Sequence, residues 1–138
     1  MMKRFFCLIV SLSTVSLLYG SESEVKIIKL IFTSLFHKQN INVFSHSQDK
    51  IDIIDKAGFS SAQNCNDSDI IYSSVVLTQC KNKPFFTDNY NSFKKDSTAV
   101  GAFYWKKGRP NILFLKSRLE KFDLELPEKF HKYILDES

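Results

Sequence analysis

Apolar residues recur every third or fourth position through EVKIIKLIFTSLFH, residues 24–37. Val25, Ile28, Ile31, Phe32, Leu35 and Phe36 fall on one broad face, with Lys26, Lys29 and Thr33 largely away from it. That spacing predicts an amphipathic helix of about four turns whose apolar face packs on a core. The period then changes. Ile41, Val43 and Phe44 form a short apolar run that reads as a buried strand. Ser47 is a suitable N-cap for a helix over Gln48 to Lys56, and Gly58 stands just past its end. Strand, capped helix and glycine stop make half of a βαβ unit.

Further along, Ser60 to Asn66 is polar and suits a short edge strand, whereas Asp69-Ile70-Ile71-Tyr72-Ser73 is a clear strand. Val75 to Lys81 reads as one or two helical turns. Pro84-Phe85-Phe86-Thr87 is a third strand, its proline at the first residue, where a missing N–H does least harm. Asn89 to Lys95 reads as another helical turn. The most legible stretch is VGAFYWKKGRPNILFL. Ala99–Trp105 and Asn111–Leu115 are strand-like, and Lys106 to Pro110 joins them as a hairpin loop with one glycine. The first arm sets Val100, Ala102 and Tyr104 on one face and Gly101, Phe103 and Trp105 on the other. Ser117 then reads as the cap of a short helix, Arg118 to Phe122, and Pro127 as the first turn of a last helix reaching Leu135. The pattern predicts one compact three-layer α/β domain: a mixed sheet, helices on both faces, and a C-terminal antiparallel hairpin.

Composition sharpens this picture mainly at the N-terminus. Lys3 and Arg4 precede an apolar run from Phe5 to Leu18, and Tyr19, Gly20 and Ser21 follow. This is the layout of a secretory signal peptide, with cleavage after Gly20 or as far on as Ser23. The run is shorter than the roughly 20 apolar residues that cross a bilayer, and Glu22 and Glu24 follow at once. The domain is therefore expected over residues 21–138 and in the periplasm. The whole chain carries a net charge of +4, from 19 basic and 15 acidic residues. Removal of Lys3 and Arg4 brings the balance to +2. So small a surplus, without a basic block, argues against nucleic acid, which needs a clustered footprint. The 13 phenylalanines are ample for one core.

Cys65 and Cys80 remain in the exported chain. In an oxidising compartment an even pair reads first as a disulfide, and second as two buried thiols. The bond would close a loop of about 15 residues and stabilise by about 3 kcal/mol in the chain-entropy model.

Candidate chemistry is sparse. Small polar residues end each strand of the α/β portion: Ser45-His46-Ser47, Ser73-Ser74 and Thr87-Asp88-Asn89. Ligands of open α/β sheets sit outside the carboxyl ends of the strands. His46, Ser47, Ser73, Ser74, Thr87 and Asp88 are therefore the candidate small-ligand residues, and the competing reading makes them caps and turns. The hairpin tip is the candidate protein-binding edge. Tyr104 and Trp105 stand beside Lys106, Lys107 and Arg109, and interfaces favour Trp, Tyr and Arg. The competing reading packs Trp105 on the core. His37, His46 and His131 belong to no catalytic motif, and neither a GxSxG elbow, a phosphate loop nor a dinucleotide fingerprint occurs. No zinc spacing or calcium loop occurs either. The expectation is a protein without catalytic residues, metal or cofactor.

Three features together resemble the YfiR-like family of bacterial periplasmic proteins. The export signal leads into a helix beginning Val25-Lys26. Cys65 precedes Asp69-Ile70-Ile71-Tyr72-Ser73-Ser74, which leads into Pro84-Phe85-Phe86-Thr87-Asp88. The end runs Val100-Gly101-Ala102-Phe103, Lys106-Lys107-Gly108-Arg109 and Asn111-Ile112-Leu113-Phe114, similar to the family's glycine–aliphatic strand, basic turn and closing strand. A second cysteine pair near the C-terminus, and the Asn-Leu that follows the closing strand in the family, are missing here. The resemblance implies a regulator acting on the periplasmic portion of an inner-membrane signalling or envelope protein. It implies no enzyme activity.

Overall fold

The computed structural model describes residues 22–136. The export signal read from residues 1–20 lies outside the described residues. Helix α1 covers residues 22–35. It is followed by β1 (Asn42–Phe44), α2 (Gln48–Lys56), β2 (Ser60–Ser61), β3 (Ile70–Tyr72), β4 (Phe85–Thr87), α3 (Tyr90–Lys95), β5 (Ala99–Lys106), β6 (Arg109–Leu115), α4 (Lys116–Lys121) and β7 (Ile134–Leu135). The strands form one mixed sheet in the order β2-β1-β3-β4-β5-β6-β7. The first five are parallel, β5 and β6 are antiparallel, and β7 runs parallel to β6. The 2-1-3-4-5 order is that of a doubly wound α/β sheet, with its switch point between β1 and β3.

Central strands buried on both faces explain the unbroken apolar runs Ile70-Ile71-Tyr72 and Phe85-Phe86. On one face Ile28, Ile31 and Phe32 of α1 and Ile53 and Ile54 of α2 pack on Val43, Tyr72, Phe86 and Phe114. Phe32 is the hub. Its ring lies edge-on to Tyr72 and Phe86, at centroid distances of 6.0 and 5.5 Å, and tilted against Phe59 at 5.7 Å. On the other face Phe93 of α3, Cys65 and Cys80 cover Ile71, Phe85 and Ala102. Helices on both faces make the three layers that the sequence predicts. Cys65 and Cys80 pair as a disulfide with Cα atoms 5.5 Å apart, joining two short 3₁₀ turns, Cys65–Asp67 and Thr78–Cys80.

Local signals hold well at α2. It spans Gln48–Lys56 and ends at Gly58, whose φ of +87° only glycine adopts freely. Gly58 N–H donates to Asp55 O and Phe59 N–H to Ile54 O, a Schellman closure. Ser47 is the N-cap residue, but its side chain accepts no capping bond.

Four expectations need correction. The hairpin loop is not Lys106 to Pro110. Lys106 pairs with Arg109, leaving a two-residue turn at Lys107 and Gly108 with φ of 52° and 75°. Two positive φ values match the right-handed twist of the arms. Second, Val100 shares a face with Phe103 rather than with Ala102. Phe85 pairs with Ala99 and Phe86 with Gly101, so a β-bulge at Val100 shifts the alternation by one. Third, Ser117 lies inside α4, which follows directly on the extended Leu115 because Leu119, four residues on, must reach the core. Fourth, the last helix is a 3₁₀ stretch, Glu128–Tyr133, behind Pro127, and it gives way to β7, which pairs with the edge that β6 would otherwise leave open.

Gly101 is needed where it stands. It lies opposite Phe114, and a Cβ built there would come within 2.6 Å of two ring carbons and 3.0 Å of Leu113 O. Because the Phe114 ring is fully buried and cannot retreat, Gly101→Ala should cost about 1–3 kcal/mol in urea unfolding, as overpacking does. Phe114→Leu in the same chain should recover part of the loss. An unchanged midpoint in the single variant would remove the steric role of this glycine.

Candidate functional site

The parallel strands bring their carboxyl ends to one edge of the sheet. His46 and Ser47 follow β1, Ser73 and Ser74 follow β3, and Thr87 and Asp88 close β4. All six candidate ligand residues thus share an edge, but they do not converge on one point. Ser73 Oγ donates to Val75 O and accepts from Val75 N–H, closing its own turn. Thr87 Oγ1 accepts from Asn89 N–H. Ser74 O accepts from Ser92 Oγ. His46 is exposed, and Ser47 N–H donates to Ser45 Oγ at 3.3 Å. These hydroxyls serve as turn and cap groups.

Only Asp88 enters a wider constellation, and its partners were not among the candidate residues. Lys50, in the first turn of α2, is 8% exposed although it carries a charge. Its Nζ lies 2.7 Å from Asp88 Oδ2 and 3.0 Å from Glu24 Oε2 of α1. The same ammonium sits 4.7 Å above the ring of the fully buried Tyr72, and the Tyr72 hydroxyl donates to Glu24 Oε2. Two carboxylates and a ring face thus compensate one desolvated cation, and Glu24 in turn satisfies the buried phenol. The signal for Lys50 was in the sequence. It stands three and four residues before Ile53 and Ile54, on the apolar stripe of α2. Glu24 likewise lies one turn before Ile28.

Burial alone would push the Lys50 ammonium down. The hydrogen bond to Asp88 and the pull of Glu24 and Asp88 outweigh it, and the pKa rises above the ordinary lysine value. Burial, aided by the charge of Glu24 and the hydrogen bond to it, pushes the Tyr72 phenol strongly up. The cluster is built to hold its protons. It has the character of a tie between α1, α2, β3 and β4 at the place where a doubly wound sheet receives a ligand.

The hairpin tip is different in kind. Trp105 is 56% exposed, with its ring edge-on to Phe103 at a centroid distance of 6.0 Å. Lys106, Lys107 and Arg109 are exposed beside it. Tyr104 points to the opposite face, half-buried, with its ring 5.4 Å from that of Tyr90. Burial against that neighbour raises its phenol pKa. The reading in which Trp105 packs on the core is overturned, because the bulge at Val100 already places Phe103 there and the strand runs past the end of the core. The tip therefore offers one aromatic ring and three cations to solvent on a rigid two-stranded arm.

No protein-family model and no curated protein matches the sequence. Among solved structures the chain is similar to a conserved domain protein from Vibrio cholerae O1 biovar El Tor str. N16961. That likeness has 12% identity and a TM-score of 0.51, and it covers 82% of this chain and 59% of that one. The chain thus spans less than two thirds of that protein, and the similarity speaks for the α/β fold alone. No helix of the described residues is long and apolar enough to cross a membrane, and no group of three metal-ligating side chains occurs among them.

The raised pKa values of Lys50 and Tyr72 give the same sign of pH dependence. The folded state holds the Lys50 and Tyr72 protons more tightly than the unfolded chain does. Their stabilisation is full below about pH 10 and falls as the pH climbs beyond it. Thermal unfolding should show an alkaline decline that Lys50→Met with Tyr72→Phe flattens. Lys50→Met alone leaves Glu24 and Asp88 without their cation and should cost about 3 kcal/mol at pH 7. A Lys50→Met variant as stable as the native chain at pH 7 would remove the tie.

Proposed function

We propose that this chain is an exported, non-enzymatic binding module. In this reading it docks on an acidic surface of the periplasmic portion of a membrane-anchored signalling or envelope protein, as the resemblance to the YfiR-like family implies. The observation that carries the reading is Trp105, the chain's one tryptophan, held 56% exposed at the end of a hairpin. A large aromatic with basic neighbours on a stiff arm is the composition of an interface anchor. Lys106, Lys107 and Arg109 supply steering toward an acidic partner. The Cys65–Cys80 disulfide supports export to an oxidising compartment. The small-ligand alternative at His46, Ser47, Ser73, Ser74, Thr87 and Asp88 is less well supported, because Lys50 already engages Asp88 and local turns engage the Ser73 and Thr87 hydroxyls.

A photo-crosslinking residue at position 105 should capture one envelope protein in intact cells, and the same residue at Gln63, on the opposite sheet edge, should not. Arg109→Ala with Lys106→Ala should abolish capture while the far-ultraviolet spectrum stays native. Equal capture by the double variant would defeat the proposed site. Protein recovered from the periplasm should also begin near Gly20 to Ser23 and contain no alkylatable thiol. An intact N-terminus with all three cysteines modified would remove the export reading.

A further inference from the structure

A second basic feature lies at the other end of β5. Thr78, Lys81, Lys95, Asp96, Ser97 and Lys121 line a cavity of about 370 Å³ on the α3 face. That volume is in the range of small-molecule sites, which run from about 300 to 1,000 Å³. The three lysines are far apart in sequence and come from three separate elements: the 3₁₀ turn ending at Cys80, the last residue of α3, and the last residue of α4. No ion pair joins any of them to a carboxylate among the described residues. The Lys121 ammonium lies over the Phe122 ring at 5.7 Å. The one acidic member, Asp96, is turned to internal use: its Oδ1 accepts from Thr98 N–H at 2.9 Å and from Thr98 Oγ1 at 2.8 Å. The cavity is therefore left with a surplus of positive charge and with the Thr78 and Ser97 hydroxyls.

The walls are fixed. The Cys65–Cys80 disulfide anchors the 3₁₀ turn. A turn closed by Ala99 N–H donating to Asp96 O at 3.0 Å sets the floor. Arg118 donates to Phe93 O and Ala99 O, which fastens α4 to α3 and β5. Three exposed lysines are brought to one cavity by independently anchored elements, and like charges gain nothing from each other there. We propose that this cavity binds a small oxyanion, with phosphate or a phosphate-bearing small molecule as the ligand class. Lys81, Lys95 and Lys121 supply the charge, and Thr78 and Ser97 supply hydroxyl donors. The site is independent of the hairpin tip, because the eight residues of β5 place the two roughly 25 Å apart.

Amide resonances of the oxidised protein would be followed while sodium phosphate replaces chloride at constant ionic strength. Saturable shifts centred on Ser97, Thr98 and Lys121 are expected. Each Lys→Gln change at 81, 95 or 121 should weaken binding about tenfold, the scale of a charge-assisted hydrogen bond. Trp105→Ala should leave binding unchanged, so this site and the partner-binding site fail or stand separately. Reduction of the disulfide should weaken binding several-fold by freeing one wall. Shifts that chloride reproduces, or a triple Lys→Gln variant that titrates like the native chain, would overturn the proposal. So would co-sedimentation with phosphatidylglycerol vesicles without saturable phosphate binding, which would mark a lipid-facing charge patch instead.

Discussion

One ammonium group holds the carboxyl edge of this sheet together. Lys50 reaches from the start of α2 to Glu24 on α1 and Asp88 after β4, over the ring of Tyr72 on β3. These four segments span much of the chain, and only the folded state brings them within hydrogen-bonding distance. A cation so placed is costly without its partners and stabilising with them. The constraint runs outward from there. Glu24 fixes the rotation of α1, which sets Phe32 edge-on to Tyr72 and Phe86. The aromatic core continues through Phe86 to Phe114 and on to Phe130, at centroid spacings near 6 Å. The polar tie and the apolar stack share Tyr72, whose hydroxyl belongs to one and whose ring belongs to the other.

The other half of the fold depends on a change of phase. A parallel sheet built from strands of two or three residues meets a long hairpin, and the two need their side chains in different registers. The bulge at Val100 makes the adjustment, and Gly101 beside it leaves room for the Phe114 ring. Past that point β5 alternates cleanly. Phe103 goes to the core and the next residue on that face, Trp105, lies beyond the core's end. The exposure of Trp105 thus follows from strand length: eight residues in β5 against three in β4.

Much of this was legible in the sequence. The two core faces, α2 with its glycine stop, and the strand positions follow from periodicity and turn residues, which act locally. Arg109-Pro110 looks like turn chemistry in the sequence, while pairing across Lys106 and Arg109 is a property of two strands at once. Ser117 failed as a cap for a similar reason: the strand carried the chain straight into the helix. The hydroxyls of Ser73 and Thr87 stand at the strand ends and close local turns, as their residue types allow anywhere in a βα connection. The Lys50 cluster and the lysine-lined cavity were missed because each gathers residues from distant segments. A lysine on an apolar stripe is a visible anomaly, but the sequence does not say which carboxylates will answer it.

The turn at the hairpin tip is not built from the residues that best suit its backbone. Lys107 stands at φ 52°, a left-handed conformation that asparagine or glycine adopts at less cost than lysine. A chain shaped for foldability alone would place asparagine before Gly108. A lysine there concedes a little local stability and adds a positive charge at the turn. The left-handed turn thus costs the hairpin a little at Lys107, and it sets one more exposed cation beside Trp105.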